Sequence, residues 1–591
     1  MRSQTIRTMA AGLAAGVAMT VAAWPAMAQQ HFDRLISFGD SYADPLINLI
    51  PILGGNLDLL PSQGRSVEDV AASSPWVAFP YWLQDGLGLA NEDMTSYAIA
   101  GSTTDQMNET GVPYSLPFQL ERSAGEVYGP NDLVTLSIGG NDGRRDSRTY
   151  GADFSPELAE RLGGGVAGRA SNAVKTFVGQ GAGTVLAVSF SDLSILPELA
   201  AHPRPDGLAA YGAALYNGMQ TNLVDTAEAG GRIFLFDLSL LGAQLKANPQ
   251  LYGFKTFLFE GNEATSVFGP DSLHLTSNGF QVAAAYMLNV LQSPYAAALA
   301  PELAEASSES FTTSLFGRLD SRRFETTTTP YSIYLMGGLA GASGDVGGDG
   351  GRGTLGAETW LSPDLMLGAA ASYSSLSGDN SLVEIDDQAL QVAAYGSWKH
   401  GNWFADALLG YGNHELELVR PGVVLPVVGE TDADTVNAAL RGGYLFDLGG
   451  VRAGPVLGLH HTRTRVDAYQ DSGDPSLAIL VDRQKLSSTT SEVGAQVHAA
   501  LSERVQGFAG IAWHHEFGDE ARVLTTRLAQ SPLLPINTTI QNFDSQDYGV
   551  VSAGLSFDVS ENLNATLAGA ATFARGDADS FQIDAGLSLR F

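Results

Sequence analysis

From Pro330 to Phe591 the chain is cut into segments of about ten residues in which apolar and polar side chains alternate, with Gly, Asp and Asn turns between them. A period of two marks strands with one apolar face, because successive side chains of extended backbone point to opposite sides. Val551, Ala553, Leu555, Phe557 and Val559 alternate with Ser552, Gly554, Ser556 and Asp558. Phe581, Ile583, Ala585, Leu587, Leu589 and Phe591 alternate with Gln582, Asp584, Gly586, Ser588 and Arg590. One face is apolar to its edge and the other polar, as a lipid-facing barrel strand requires. Tyr331, Tyr334, Trp360, Tyr373, Trp398, Trp403 and Tyr411 stand near segment ends, where interfacial girdles of a membrane barrel would lie.

Composition supports this reading. Only 16% of the residues are charged, against about a quarter in soluble proteins. The 44% that are hydrophobic never form the ~18 continuous apolar residues of a membrane helix in the mature chain. A length of 591 residues exceeds the roughly 250–300 that one core sustains, so at least two domains are expected. The absence of cysteine excludes a disulfide scaffold, a thiolate nucleophile and Cys-ligated metal sites, and it suits a chain that crosses a second membrane unfolded. A net charge of −32 argues against nucleic acid, whose phosphates need a basic face. At the N-terminus, Arg2 and Arg7, the apolar run from Met9 to Ala23 and Ala26-Met27-Ala28 read as a signal peptide over residues 1–28, with export following from it.

Between residues 29 and 293, short apolar runs alternate with helix-like segments, the pattern of an α/β domain with a mostly parallel sheet. Strands are expected at Leu35–Phe38, Leu133–Ile138, Thr184–Val188 and Arg232–Phe236, each with a polar or glycine end where ligands of such sheets sit. The first end reads Gly39-Asp40-Ser41. A serine after a strand, with a glycine two residues earlier to permit a tight turn, can present its hydroxyl and its own N–H to a substrate. Taken alone, Ser41 also fits a helix N-cap. A second group far along the chain, Asp271-Ser272-Leu273-His274, changes the balance: an aspartate three residues before a histidine can orient the ring while Nε2 takes a serine proton. Acyl transfer also needs donors for the developing oxyanion. Asn141, in Gly139-Gly140-Asn141-Asp142, Gly101 and the N–H of Ser41 supply three candidates, while Asp142 and Asp44 are expected to brace the loops.

The ordered set Gly39-Asp40-Ser41, Gly101, Gly139-x-Asn141-Asp142 and Asp271-x-x-His274 resembles the GDSL or SGNH hydrolases over roughly Phe32 to Gln292. The resemblance implies a three-layer α/β/α flavodoxin-like domain. It implies Ser41 as nucleophile, His274 as base, Asp271 as its partner, and Ser41, Gly101 and Asn141 as oxyanion donors, with Gly39, Asp40 and Asp142 supporting. Where many members read Gly-Gly, this chain has Ala100-Gly101.

Ser293-Pro294 is expected to end the last helix of that domain. Residues 294–329 then form a linker with a helix from Pro301 to about Arg323, rich in small residues and carrying one stripe of Phe311, Leu315 and Leu319. With residues 330–591 it resembles the translocator of an autotransporter: a twelve-stranded antiparallel barrel in the Gram-negative outer membrane, with a helix threading its pore. The resemblance implies contact with outer-membrane lipid, recognition of Phe591 by the barrel assembly machinery, and, without an Asn-Asn pair in the helix, a passenger that stays attached. The whole chain resembles the cell-bound autotransporter esterases of this hydrolase family.

His460-His461 and His514-His515-Glu516 are read as lumen or rim positions, since adjacent strand residues face opposite ways and neither pair chelates from one side. No metal or cofactor is expected. The expectation is a monomeric serine esterase or lipase on the cell surface, acting on carboxylic (fatty-acyl) esters. A surface adhesin on a hydrolase scaffold, a carbohydrate deacetylase and a phospholipase stay open as alternatives, because these blocks fix chemistry and not the acyl or alcohol pocket.

Overall fold

The computed structural model describes residues 31–56, 61–108, 110–324, 330–342, 347–543, 545–576 and 579–591. The expected signal peptide, residues 1–28, lies outside them. Six strands build the first sheet: β1 (Arg34–Gly39), β2 (Ser62–Gln63), β3 (Met94–Ser96), β4 (Asp132–Ser137), β5 (Thr184–Ser189) and β6 (Ile233–Asp237), in the order β2-β3-β1-β4-β5-β6. All neighbours are parallel except β2 and β3. The four strands expected from sequence are β1, β4, β5 and β6, and they are buried almost throughout, as a sheet covered on both faces demands. β2 and β3 add to that expectation, since two or three residues carry no period that would reveal them.

Helices Pro156–Gly179 and Pro205–Glu228 pack together, as do Phe79–Gly86 and Ser277–Ala298, giving the outer layers of a three-layer α/β/α domain. β1 lies between β3 and β4, so the sheet grows in opposite directions from it. Its carboxyl end therefore opens into the crevice where such sheets bind ligands.

The helix expected to stop at Ser293-Pro294 does not stop there. It runs from Ser277 to Ala298 with Pro294 inside it, and Leu299 alone separates it from the next helix, Ala300–Arg322. Proline cannot donate to the carbonyl four residues back, here Val290 O. The Ser293 hydroxyl fills that place, donating to Val290 O at 2.8 Å, so the proline does not leave that carbonyl unpaired.

Twelve antiparallel strands, from Tyr331–Ala342 to Ser580–Arg590, form a closed barrel, the last pairing with the first from Ser580↔Ala342 to Arg590↔Ser332. The period-2 reading holds residue by residue in the last strand: Phe581, Ile583, Leu587 and Leu589 are exposed, while Gln582, Asp584 and Ser588 are buried. Tyr334 departs from the girdle expectation. It points inward, 2% exposed, and its hydroxyl meets that of Tyr395 at 2.8 Å.

Ala300–Arg322 fills the lumen. Phe311, Leu315 and Leu319 pack on Met336, Met366, Ala370, Ala393, Leu408 and Ala439 of the wall. Arg318 forks onto Glu358 at 2.7 Å through each of two nitrogens, and Arg322 joins the same carboxylate. Arg323 and Arg441 share Asp320 and Asp406. Apart from Asp320 and Arg323, three residues from each other, the partners lie far apart along the chain, and no local pattern signals their pairing.

On one side the barrel loops rise into a small sheet of Tyr469–Gln470, Ile479–Val481, Ala521–Leu528 and Ile536–Gln541. Leu477, Ile479, Leu524, Leu528 and Ile536 belong to the same apolar cluster as the core of the first domain. Asp474, fully buried, accepts from Tyr286 Oη and from Gln244 Nε2 at 2.9 Å, and Gln530 Oε1 accepts from Asp237 N at 2.8 Å. The two domains are thus packed against each other rather than strung on a linker. Replacing Asp474 with alanine takes the hydrogen-bond acceptor from the buried Tyr286 hydroxyl and from the half-buried Gln244 amide, a cost of ~1–3 kcal/mol. Calorimetry of the detergent-solubilised chain is expected to show the first domain melting several degrees lower, with the barrel transition unchanged.

Candidate active site

The end of β1 passes so close to β4 that a Cβ on Gly39, whose φ is +130°, would lie 2.1 Å from Ser137 O. Only glycine fits, and the turn it permits delivers Asp40 and Ser41 to the crevice. Gln119 clamps this turn: its Oε1 accepts from Gly39 N at 2.9 Å and its Nε2 donates to Gly39 O at 2.7 Å and Ser102 Oγ at 2.9 Å. Asp40 accepts from Tyr42 N and from the Ser137 hydroxyl, which ties the turn to β4.

Ser41 Oγ lies 2.7 Å from His274 Nε2, and His274 Nδ1 lies 2.5 Å from Asp271 Oδ2. The other oxygen of Asp271 accepts from the backbone N–H of Leu273 and of His274, both at 3.0 Å. Partial burial pushes the Asp271 carboxyl up, but the hydrogen bonds from the His274 ring and these two amides outweigh it and bring it down to about 2. Asp271 is therefore a carboxylate across the working range of pH, and an imidazole between it and a serine hydroxyl has a proton acceptor facing the hydroxyl. The loop between them is held from three directions. Ser272 adopts φ +59° and its carbonyl accepts from Glu198 N at 2.9 Å, Tyr42 Oη donates to Leu273 O at 2.8 Å, and Gly269 N donates to His274 O at 2.8 Å.

The proposed donors gather at the same strand ends. Ile99 N donates to Gly39 O at 3.0 Å, which lays the segment leading to Gly101 against the Ser41 turn. Gly101 has φ +80°. Asn141 opens the helix Gly140–Tyr150 and its Nδ2 donates to Ser102 O at 3.0 Å. The amides of Ser41 and Gly101 donate to no acceptor among the described residues. Asp142 is fully buried and accepts from Thr104 N at 2.9 Å and Thr104 Oγ1 at 2.7 Å, the loop brace expected of it.

Sequence reasoning missed Trp76. Its indole stacks on the His274 ring with centroids 4.0 Å apart and planes at 14°, and its Nε1 donates to Ser41 O at 3.2 Å. A lone tryptophan after Ser74-Pro75 carries no pattern that would reveal this, and neither does Gln119. In the barrel, His460 faces inward onto Glu492 at 3.1 Å while His461 is on the outer face with Thr489, as strand alternation requires.

The α/β/α fold with this serine, histidine and aspartate, placed ahead of a membrane barrel plugged by a helix, defines an autotransporter with a hydrolase domain. Comparison with known families agrees: the GDSL-like Lipase/Acylhydrolase family matches residues 36–287 and the Autotransporter beta-domain family residues 337–570. The chain is a GDSL-family hydrolase joined to an autotransporter β-domain, a protein of the Gram-negative outer membrane. It is 25% identical over 548 residues to an uncharacterized protein in the trpE-trpG intergenic region of Pseudomonas putida, covering 81% of this chain and 85% of that one. It is 24% identical over 446 residues to Esterase EstA of Pseudomonas aeruginosa, covering 67% of this chain and 68% of that one. Among solved structures, the translocator domain of autotransporter NalP from Neisseria meningitidis aligns with a TM-score of 0.40 at 14% identity, covering 48% of this chain and 98% of that one.

Asp44 braces the loop that follows Ser41: its carboxylate accepts from Ile47 N at 2.7 Å and Asn48 N at 2.9 Å, and the Asn48 amide in turn donates to Ser96 O and Ala98 O. Burial pushes this carboxyl up to about 7 from an ordinary 3.8, against the pull of those two amides. A folded-state value above the unfolded one means that the native state binds the proton more tightly, so stability falls as pH rises from about 4 to about 7. The native chain is expected to lose melting temperature across that window relative to Asp44→Asn, which has no proton to release. Parallel melting curves of the two would refute it.

Proposed function

We propose that this protein is a cell-surface serine esterase or lipase that hydrolyses carboxylic esters through an acyl-serine intermediate, carried by its own outer-membrane barrel. The observation that bears most weight is the line of short contacts from Ser41 Oγ through His274 to Asp271, 2.7 and 2.5 Å. In this reading His274 Nε2 takes the Ser41 proton as Oγ bonds to the ester carbonyl carbon, and the carbonyl π electrons move onto oxygen. The N–H groups of Ser41 and Gly101 and the Nδ2 of Asn141 donate to that oxyanion. The tetrahedral adduct then collapses, the C–O bond to the alcohol breaks, and the imidazolium returns the proton to the leaving alkoxide. Water repeats the sequence on the acyl-serine to release the acid. Asp271, ionised throughout, stabilises the imidazolium in both halves.

The EstA relatives are named esterases, and a relative from Photorhabdus luminescens is named Lipase 1, which supports the ester class. The packing of the hydrolase domain on the loops at one end of the barrel supports its retention at the outer surface. The chain is read as working alone, with lipid around the barrel and a small ester as substrate.

Ser41→Ala is expected to abolish turnover of a short-chain chromogenic ester and labelling by a fluorophosphonate, while antibody still binds the domain on intact cells. A variant that still turns over the ester would overturn the nucleophile assignment, and a native chain that never labels would favour an adhesin. Asp271→Asn, which keeps volume and loses charge, is expected to lower kcat by roughly 10³-fold or more.

A further inference from the structure

Arg144 takes no part in the reaction above, yet it is buried, 6% exposed, one turn beyond Asn141 on the same helix. Its Nε and Nη2 fork onto the Glu198 carboxylate at 2.7 and 2.9 Å. Its Nη1 donates to Asn141 Oδ1 at 2.8 Å. A guanidinium carries donors only, so the amide atom that faces it has to be the oxygen. The Nδ2 is then turned to the opposite side, where one hydrogen goes to Ser102 O at 3.0 Å and the second is left for another acceptor.

The terminal torsion of an asparagine is broad and close to two-fold, so the side chain alone does not choose between its two faces. With the amide reversed, Oδ1 would meet Ser102 O and the developing oxyanion, and acceptor would face acceptor. Glu198 in turn is anchored twice. Its carboxylate also receives Arg148 Nη2 at 2.6 Å, and its backbone N–H holds the carbonyl of Ser272, inside the loop that carries Asp271 and His274.

We propose that Arg144, held by Glu198, is a positioning residue that locks the Asn141 carboxamide with its N–H groups toward the oxyanion. This rests on the ester-hydrolase reading and names a part of the site that no motif contains. The lock sits on a helix and a 3₁₀ turn, Pro197–Leu199, not on the reacting atoms, and it reaches both the oxyanion donor and the triad loop.

The test is a double-mutant cycle in the full chain, with turnover of p-nitrophenyl butyrate counted per fluorophosphonate-titratable site. A merely structural role lowers the number of titratable sites and leaves turnover per site unchanged. Asn141→Ala is expected to lower kcat about 10²–10³-fold, the loss of one oxyanion donor. Arg144→Met is expected to lower kcat about tenfold or more with KM nearly constant, and to have an effect of no more than about twofold when Asn141 is already alanine. Glu198→Gln, which keeps the backbone contact to Ser272, should show a smaller loss that likewise vanishes in the Asn141→Ala chain. It decides the matter if Arg144→Met does not fold. Unchanged kcat per site in the Arg144 and Glu198 variants, or losses that multiply fully with that of Asn141→Ala, would overturn the lock while leaving the ester hydrolase standing. A native chain with neither turnover nor label would remove both.

Discussion

Backbone amides in hydrocarbon have no water to turn to, and the pairing of Ser580–Arg590 with Tyr331–Ala342 is what leaves none of them at an open edge. Once the wall closes on itself, its inward side chains enclose a lumen that the chain fills with its own helix. The filling is ionic as well as apolar. Arg318 and Arg322 converge on Glu358, and Arg323 and Arg441 on Asp320 and Asp406. Ion pairs of this kind add little net stability over apolar replacements, but breaking one strands a buried charge at a cost of ~3–5 kcal/mol. Their effect is on register: a helix displaced by one turn would part Arg318 and Arg322 from Glu358, Arg323 from Asp406 and Arg441 from Asp320 together.

The hydrolase domain solves a different problem, that of bringing three strand-end loops within hydrogen-bonding distance of one another. It does so with close backbone approaches and a few buried amides. Gly39 lets β1 graze β4, Gln119 ties that turn to Ser102, and Asn48 ties the next loop to the segment before Gly101. None of these residues reacts with substrate in the proposed ester hydrolysis. Each holds main chain beside Ser41 or Gly101, the residues that would meet the substrate there.

Much of this was legible in the residues. Strand alternation from Val551 onward, the burial of Phe581 neighbours on one side only, and four of the six strands of the first sheet follow from periodicity, which reports a local geometry and needs no partner. Ser41 was legible from its place at a strand end behind Gly39, and Asp271 and His274 from their three-residue spacing, and the structure brings the three into line. What stayed hidden depends on residues remote in sequence. Trp76 over His274, Gln119 under Gly39 and Asp474 beneath Tyr286 are single side chains in unremarkable surroundings, made meaningful by the fold. Pro294 misled for a related reason: the rule that proline ends helices assumes an unfilled carbonyl, and Ser293 fills it. Tyr334 misled because a tyrosine near a strand end suits a girdle equally well as a lumen with a hydroxyl partner.

That helical path, broken only at Leu299, has a mechanical meaning. The loop bearing His274 precedes the cap of Ser277–Ala298, and past Leu299 the chain is helical again to Arg322, inside the barrel. At about 1.5 Å per helical residue, such a connection is a strut and not a leash. A leash lets a reactive centre sweep a volume and search for esters. A strut gives it one altitude above the barrel rim and one orientation, so encounter depends on what diffuses to that altitude.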